Sequence, residues 1–148
     1  LPDTYDKRCQ LGASRRRLDD AIALYSCKRW WGAVYIGGYA IECSLKSLIC
    51  YEESKNNFKD TSVFKQGLQG ASLHNLGILF SKIPSLQRTV SLDRTGSYKN
   101  AWDTIASVWI NDELRYSDRS GDEADSTKFI EAVKTWHQLL LSKQGEAS

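Results

Sequence analysis

The chain has 148 residues, 26 % of them charged and 41 % apolar, with a formal net charge of +2. This length supports one domain with a real core and is short for two. The composition excludes a disordered chain, and the small net charge excludes a strongly basic nucleic-acid coat protein while leaving room for a local basic patch.

The first predicted helix spans about Thr4 to Lys28, where Leu11, Leu18, Ala21, Ile22 and Tyr25 recur at the helical period. Gly12 weakens its middle, so Ser14 is a candidate cap for a later start. The second covers about Trp30 to Glu52 and is the longest. Its residues Gly32, Gly37, Gly38 and Ala40 cost helix propensity, which close approach by another helix would offset. Glu53 to Ala71 reads as a long polar loop with one turn near Val63 and Phe64, of a length often found in functional or mobile segments. Ser72 is expected to cap a short helix over Leu73 to Ile83, which Pro84 ends; Ser85 to Asp93 is either a helical turn or a linker. A fourth helix is predicted over Ser97 to Ile110 and leads into the polar stretch NDELRYSDRSGDEAD. The last is predicted to begin near Ser126, with Phe129, Ile130, Val133, Trp136, Leu140 and Leu141 inward and the tail after Lys143 frayed. The expectation is a single all-α domain over residues 1–148, a four- to five-helix bundle, up-and-down where its loops permit.

No apolar run approaches the roughly 20 residues that a spanning helix needs, and Leu1 to Gln10 is too polar for a secretory leader. A cytoplasmic protein without a membrane partner is expected. The chain contains no methionine, even at position 1, and a processed product or a fragment is expected. The cysteines at 9, 27, 43 and 50 form no CxxC pair. On one helix Cys43 and Cys50 stand two turns apart, about 10.5 Å along the axis, too far for a disulfide. With only His74 and His137 as imidazoles, a four-ligand zinc site has too few ligands. Buried free thiols, no metal and no cofactor are expected.

The chemically informative residue is Glu42. Trp31, Tyr35, Gly38, Leu45 and Ile49 fall at alternating helical spacing, and Glu42 lies in the same row, facing whatever covers the stripe. A carboxylate held there needs a cation or hydrogen-bond donors. Lys46 is an i,i+4 partner of favourable order, and Arg115, just past the fourth helix, is a planar donor suited to a bidentate pair. The predicted polar cluster is therefore Glu42, Lys46, Arg115 and Tyr116, with His74 as a possible member. Arg115 would serve either as an inter-helix clamp or as a phosphate-contacting guanidinium. His137, beside Trp136 near a helix end, suits the dipole as a cation. Arg15, Arg16, Arg17, Lys28 and Arg29, the last two adjoining Trp30 and Trp31, are candidate nucleic-acid contacts or a solvated helix face.

Three segments in order, AIECSLKSLI (Ala40 to Ile49), LHNLGIL (Leu73 to Leu79) and LRY (Leu114 to Tyr116), make the chain resemble the HEPN superfamily over roughly Leu18 to Leu141. These are helical domains found beside minimal nucleotidyltransferases and in toxin–antitoxin and defence systems. The resemblance implies a helical bundle, a homodimer, RNA, nucleotide or protein partners, and a possible nucleotidyltransferase-type partner. Active members carry a histidine four to six residues after an arginine. Here Arg115 is followed by Tyr116, Ser117, Asp118, Arg119, Ser120, Gly121 and Asp122, without histidine. Arginine stabilises developing charge but does not readily exchange a proton near neutral pH. The expected function is a binding domain that lacks the usual ribonuclease pair. The alternatives are a metal-independent endoribonuclease with a variant site drawn from Arg115, Asp118, Arg119 and His74, and a structural dimerisation module.

Overall fold

In the computed structural model of this chain, residues 3–68, 70–118 and 120–146 are described, with Asn111 and Asp112 by their backbone alone. The described residues form eight α-helices and no named strand: α1 (Lys7–Ser26), α2 (Trp30–Glu52), α3 (Ser62–Lys65), α4 (Leu76–Ser81), α5 (Pro84–Leu92), α6 (Ser97–Val108), α7 (Asn111–Arg115) and α8 (Glu123–Ser142).

Local chemistry moves several boundaries away from the sequence expectation. Asp6, not Ser14, starts α1: its carboxylate accepts from the amides of Arg8 and Cys9 at 2.9 and 3.2 Å. Ser14 lies buried inside the helix. Asn75 rather than Ser72 caps α4, accepting from Ile78 N–H at 3.0 Å. Pro84 separates α4 from a new helix and also begins that helix as its first residue, where a missing N–H costs nothing. Asp122 caps α8 four residues before the expected Ser126, accepting from Asp125 N–H at 2.8 Å. The segment 144–146 is held: Gly145, at φ 71°, donates to Ser142 O and Glu146 N–H donates to Leu141 O at 2.9 Å, which closes α8 in a Schellman turn.

Cross-helix contacts fix the architecture. Tyr25 and Thr127 meet at 2.6 Å, and Ser14 meets His137 at 3.1 Å, so α1 and α8 run in opposite directions. The Ser126 hydroxyl donates to Trp30 O at 3.2 Å, and Gly37 faces Phe129 and Ile130, so α2 and α8 run in the same direction. Trp136 Nε1 donates to Tyr98 O at 2.8 Å while Trp109, just beyond α6, covers Gly38; α6 therefore opposes α8. The long helices α1, α2, α6 and α8 thus alternate up and down in chain order, with α2 and α8 packed directly against each other.

Glycine makes that packing possible. A β-carbon on Gly37 would stand 3.3 Å from the Phe129 ring, and one on Gly38 would fall inside the Trp109 indole. The core holds Ile41, Leu45, Leu48, Ile105, Phe129, Val133, Trp136 and Leu140, with Phe80 edge-on to Trp136 and Trp102 tilted against it. The expected long loop is not bare: Phe58, Val63 and Leu68 are buried in the same core.

Candidate functional site

Helix α2 carries Tyr39, Glu42 and Lys46 on one row, since residues three and four apart stack on a helix face. That row faces the segment entering α4, and Glu42, 4 % exposed, is sealed beneath it. One carboxylate oxygen takes the Lys46 ammonium at 3.1 Å. The other takes His74 Nδ1 at 2.9 Å. Lys46 is itself 5 % exposed and sits 5.7 Å from the centroid of the Phe58 ring, so its charge is neutralised locally rather than by water. His74 arrives on a 3₁₀ turn, residues Gly70–His74, with half of its ring in the open.

The inward carboxylate and its Lys46 partner match the sequence expectation. The guanidinium does not. Leu114 of α7 is buried, and neighbouring residues on a helix point about 100° apart, so Arg115 turns outward. Its guanidinium carbon lies 5.7 Å from the Tyr116 ring centroid, and Tyr116 is 79 % exposed. Both oxygens of Glu42 are already occupied, by an amine one turn along the same helix and by an imidazole from the turn that leads into α4. Arg115 and Tyr116 therefore do not belong to the buried cluster. Asp118 is exposed, and Arg119 lies outside the described residues.

The basic candidates do not make one face. Consecutive side chains on α1 fan around the helix: Arg15 pairs with Glu146 at 3.2 Å, Arg17 with Asp20 at 2.9 Å, and Arg16 is exposed. Lys28 and Arg29 stand exposed beyond the end of α1, at the turn into α2.

His137 also departs from its expected cationic role. It is 5 % exposed, and burial pushes its pKa down to about 4, with the Arg15 charge adding to the effect. The Ser14 hydroxyl donates to Leu11 O at 2.7 Å. Having spent its proton there, it accepts at 3.1 Å from His137 Nε2–H, so His137 is a neutral structural donor. Of the four free cysteines Cys50 is buried, Cys9 and Cys43 are half-buried, and Cys27 is exposed, contrary to the expectation of burial. Burial holds both the Cys43 and the Cys50 thiols at about 11, and Glu42 adds to the shift at Cys43. Among the described residues no group of three His, Cys, Asp or Glu could hold a metal ion, and no helix is long and apolar enough to cross a membrane.

A surface cleft of about 320 Å³ opens in front of His74, between the start of α4 and the end of α6, with Asn75, Leu76, Ala106, Trp109 and Ile110 on its walls. Trp109 joins the cleft to the buried cluster. Its Nε1 donates to Tyr35 O at 3.0 Å, and its ring stands edge-on to Tyr39 at 5.1 Å; Tyr39 in turn lies edge-on to His74 at 6.5 Å. Sequence reading places Trp109 in the core and gives no signal for Asn75 or Ala106, because the cleft exists only where two helix ends remote in sequence meet. Chemically, a carboxylate behind an imidazole fixes the ring's orientation and proton, and the exposed half of the ring can accept a hydrogen bond or a proton. No protein-family model, curated protein or solved structure matches this chain.

Proposed function

We propose that this chain is a HEPN-like helical domain that binds RNA or a nucleotide at the cleft in front of His74, and that it lacks the Arg-x4–6-His ribonuclease pair. The observation that carries the reading is the 2.9 Å contact between His74 Nδ1 and Glu42. It ties the glutamate of the first resemblance segment to the histidine of the second and sets that histidine at the mouth of a cleft. A toxin–antitoxin or defence setting, a homodimer, a nucleotidyltransferase-type partner and a cytoplasmic location belong to the same proposal through the resemblance.

The same contact favours one second reading, a variant-site endoribonuclease in which His74 supplies the proton transfer that the missing downstream histidine would provide. The two separate by incubating the purified chain, His74→Ala and Arg115→Ala with labelled single-stranded RNAs. Retention without cleavage, weakened in His74→Ala, supports the binding domain. Cleavage abolished in His74→Ala, with its circular dichroism unchanged, supports the enzyme. Neither binding nor cleavage, with a stable dimer in sedimentation, would replace both with a structural dimerisation module.

A further inference from the structure

We infer that the His74 cleft receives an uncharged, planar group bearing an N–H donor, of the kind a nucleobase edge or cyclic amide presents, and leaves any phosphate outside. The inference deepens the nucleotide-binding reading and rests on it only for the choice of cleft.

Three observations lead to this class. First, the proton position in the neutral ring follows from the partners. Glu42 takes the Lys46 ammonium on one oxygen and so accepts on the other, which places the imidazole proton on Nδ1 and leaves the Nε2 lone pair as an acceptor. Second, among the described residues no lysine, arginine, aspartate or glutamate lines the cleft: its described walls are Asn75, Leu76, Ala106, Trp109 and Ile110 with Ala71 and Gly77. A phosphate there would lose its hydration without gaining a cation. The Lys46 charge is spent on Glu42 beneath the ring. Third, the apolar walls and the volume of about 320 Å³ suit one heterocycle with part of its sugar. The side-chain oxygen of Asn75 is committed to the amide of Ile78, so Asn75 can present only its Nδ2 donors, which suit a carbonyl oxygen on the same planar group.

The test uses the whole chain with ¹⁵N-labelled histidine. In the free protein, long-range ¹H–¹⁵N spectra are expected to show the His74 proton on Nδ1 and Nε2 bare. Added uracil is expected to shift the Nε2 resonance, and inorganic phosphate at equal concentration to leave it in place. Ala106→Phe fills the cleft from an exposed position on α6 without touching the Glu42 pair. It should weaken the uracil response by at least about tenfold, or 1.4 kcal/mol, while the tautomer stays as it was. A proton on Nε2, a phosphate response equal to that of uracil, or a uracil response untouched by Ala106→Phe would each overturn the inference. RNA that fails to bind while uracil still shifts Nε2 would overturn the nucleotide-binding reading alone.

Discussion

At Gly38 a missing β-carbon decides whether the Trp109 indole can lie flat on α2 and keep its bond to Tyr35 O. Gly38→Ala forces the ring off that surface and is expected to cost about 1–3 kcal/mol, seen as a lower urea midpoint at unchanged slope. Gly12 is the opposite case: it lies within α1 and nothing stands within 4 Å of an added β-carbon. Gly12→Ala should therefore stabilise the fold by about 0.5–1 kcal/mol through helix propensity alone. His137 carries a pH signature. Its folded-state pKa of about 4 lies below the ordinary 6.5, so between those values the unfolded chain binds a proton that the folded chain refuses. The contribution is complete above pH 6.5 and is lost as the pH falls toward 4, at a cost of up to about 3 kcal/mol. Urea titrations across that range should fall more steeply for the native chain than for His137→Gln, which keeps a donor for Ser14 but does not titrate.

At the scale of an element, α2 holds an ion pair between Glu42 and Lys46 that water barely reaches. Removing Lys46 leaves the buried Glu42 charge with no counter-ion on its helix and only the His74 hydrogen bond, whereas removing both leaves apolar volume beneath a half-exposed His74. Lys46→Met alone should cost about 3–5 kcal/mol, and Glu42→Leu with Lys46→Met far less than two such losses; a double-mutant cycle in urea reads the difference. Helix α7 behaves in the reverse way. Among its described side chains only Leu114 is buried in the core, and the exposed Arg115 carries no comparable burden. Arg115→Ala should change stability by no more than about 0.5 kcal/mol. That makes it a clean variant for the RNA experiments, since a loss of cleavage in it would not reflect unfolding.

Across the whole molecule, the thiols report on the packing. Native protein should react fastest with a thiol reagent at Cys27, on the exposed α1–α2 turn, and more slowly at the half-buried Cys9. Cys43 and Cys50, both held near 11 by burial, should react only after urea unfolds the chain. Mass mapping of the labelled peptides would check the order. Much of this architecture was legible beforehand. The apolar period gave α1, α2, α6 and α8, because a helix that buries one face must repeat its apolar residues every three or four positions, and α2 runs over the expected span. The same period turned Glu42 inward and paired it with Lys46, because that contact lies within one helix. Composition likewise determined the close approach at Gly37 and Gly38, without saying what approaches. Only the tertiary structure decided which long-range donor reaches Glu42. Arg115 and His74 are both plausible partners by chemistry, but a single step around α7 turns the arginine outward, and the path of a loop that follows no period brings the histidine in. The cleft belongs to that second class as well, since its walls come from helix ends that meet only when the chain is packed.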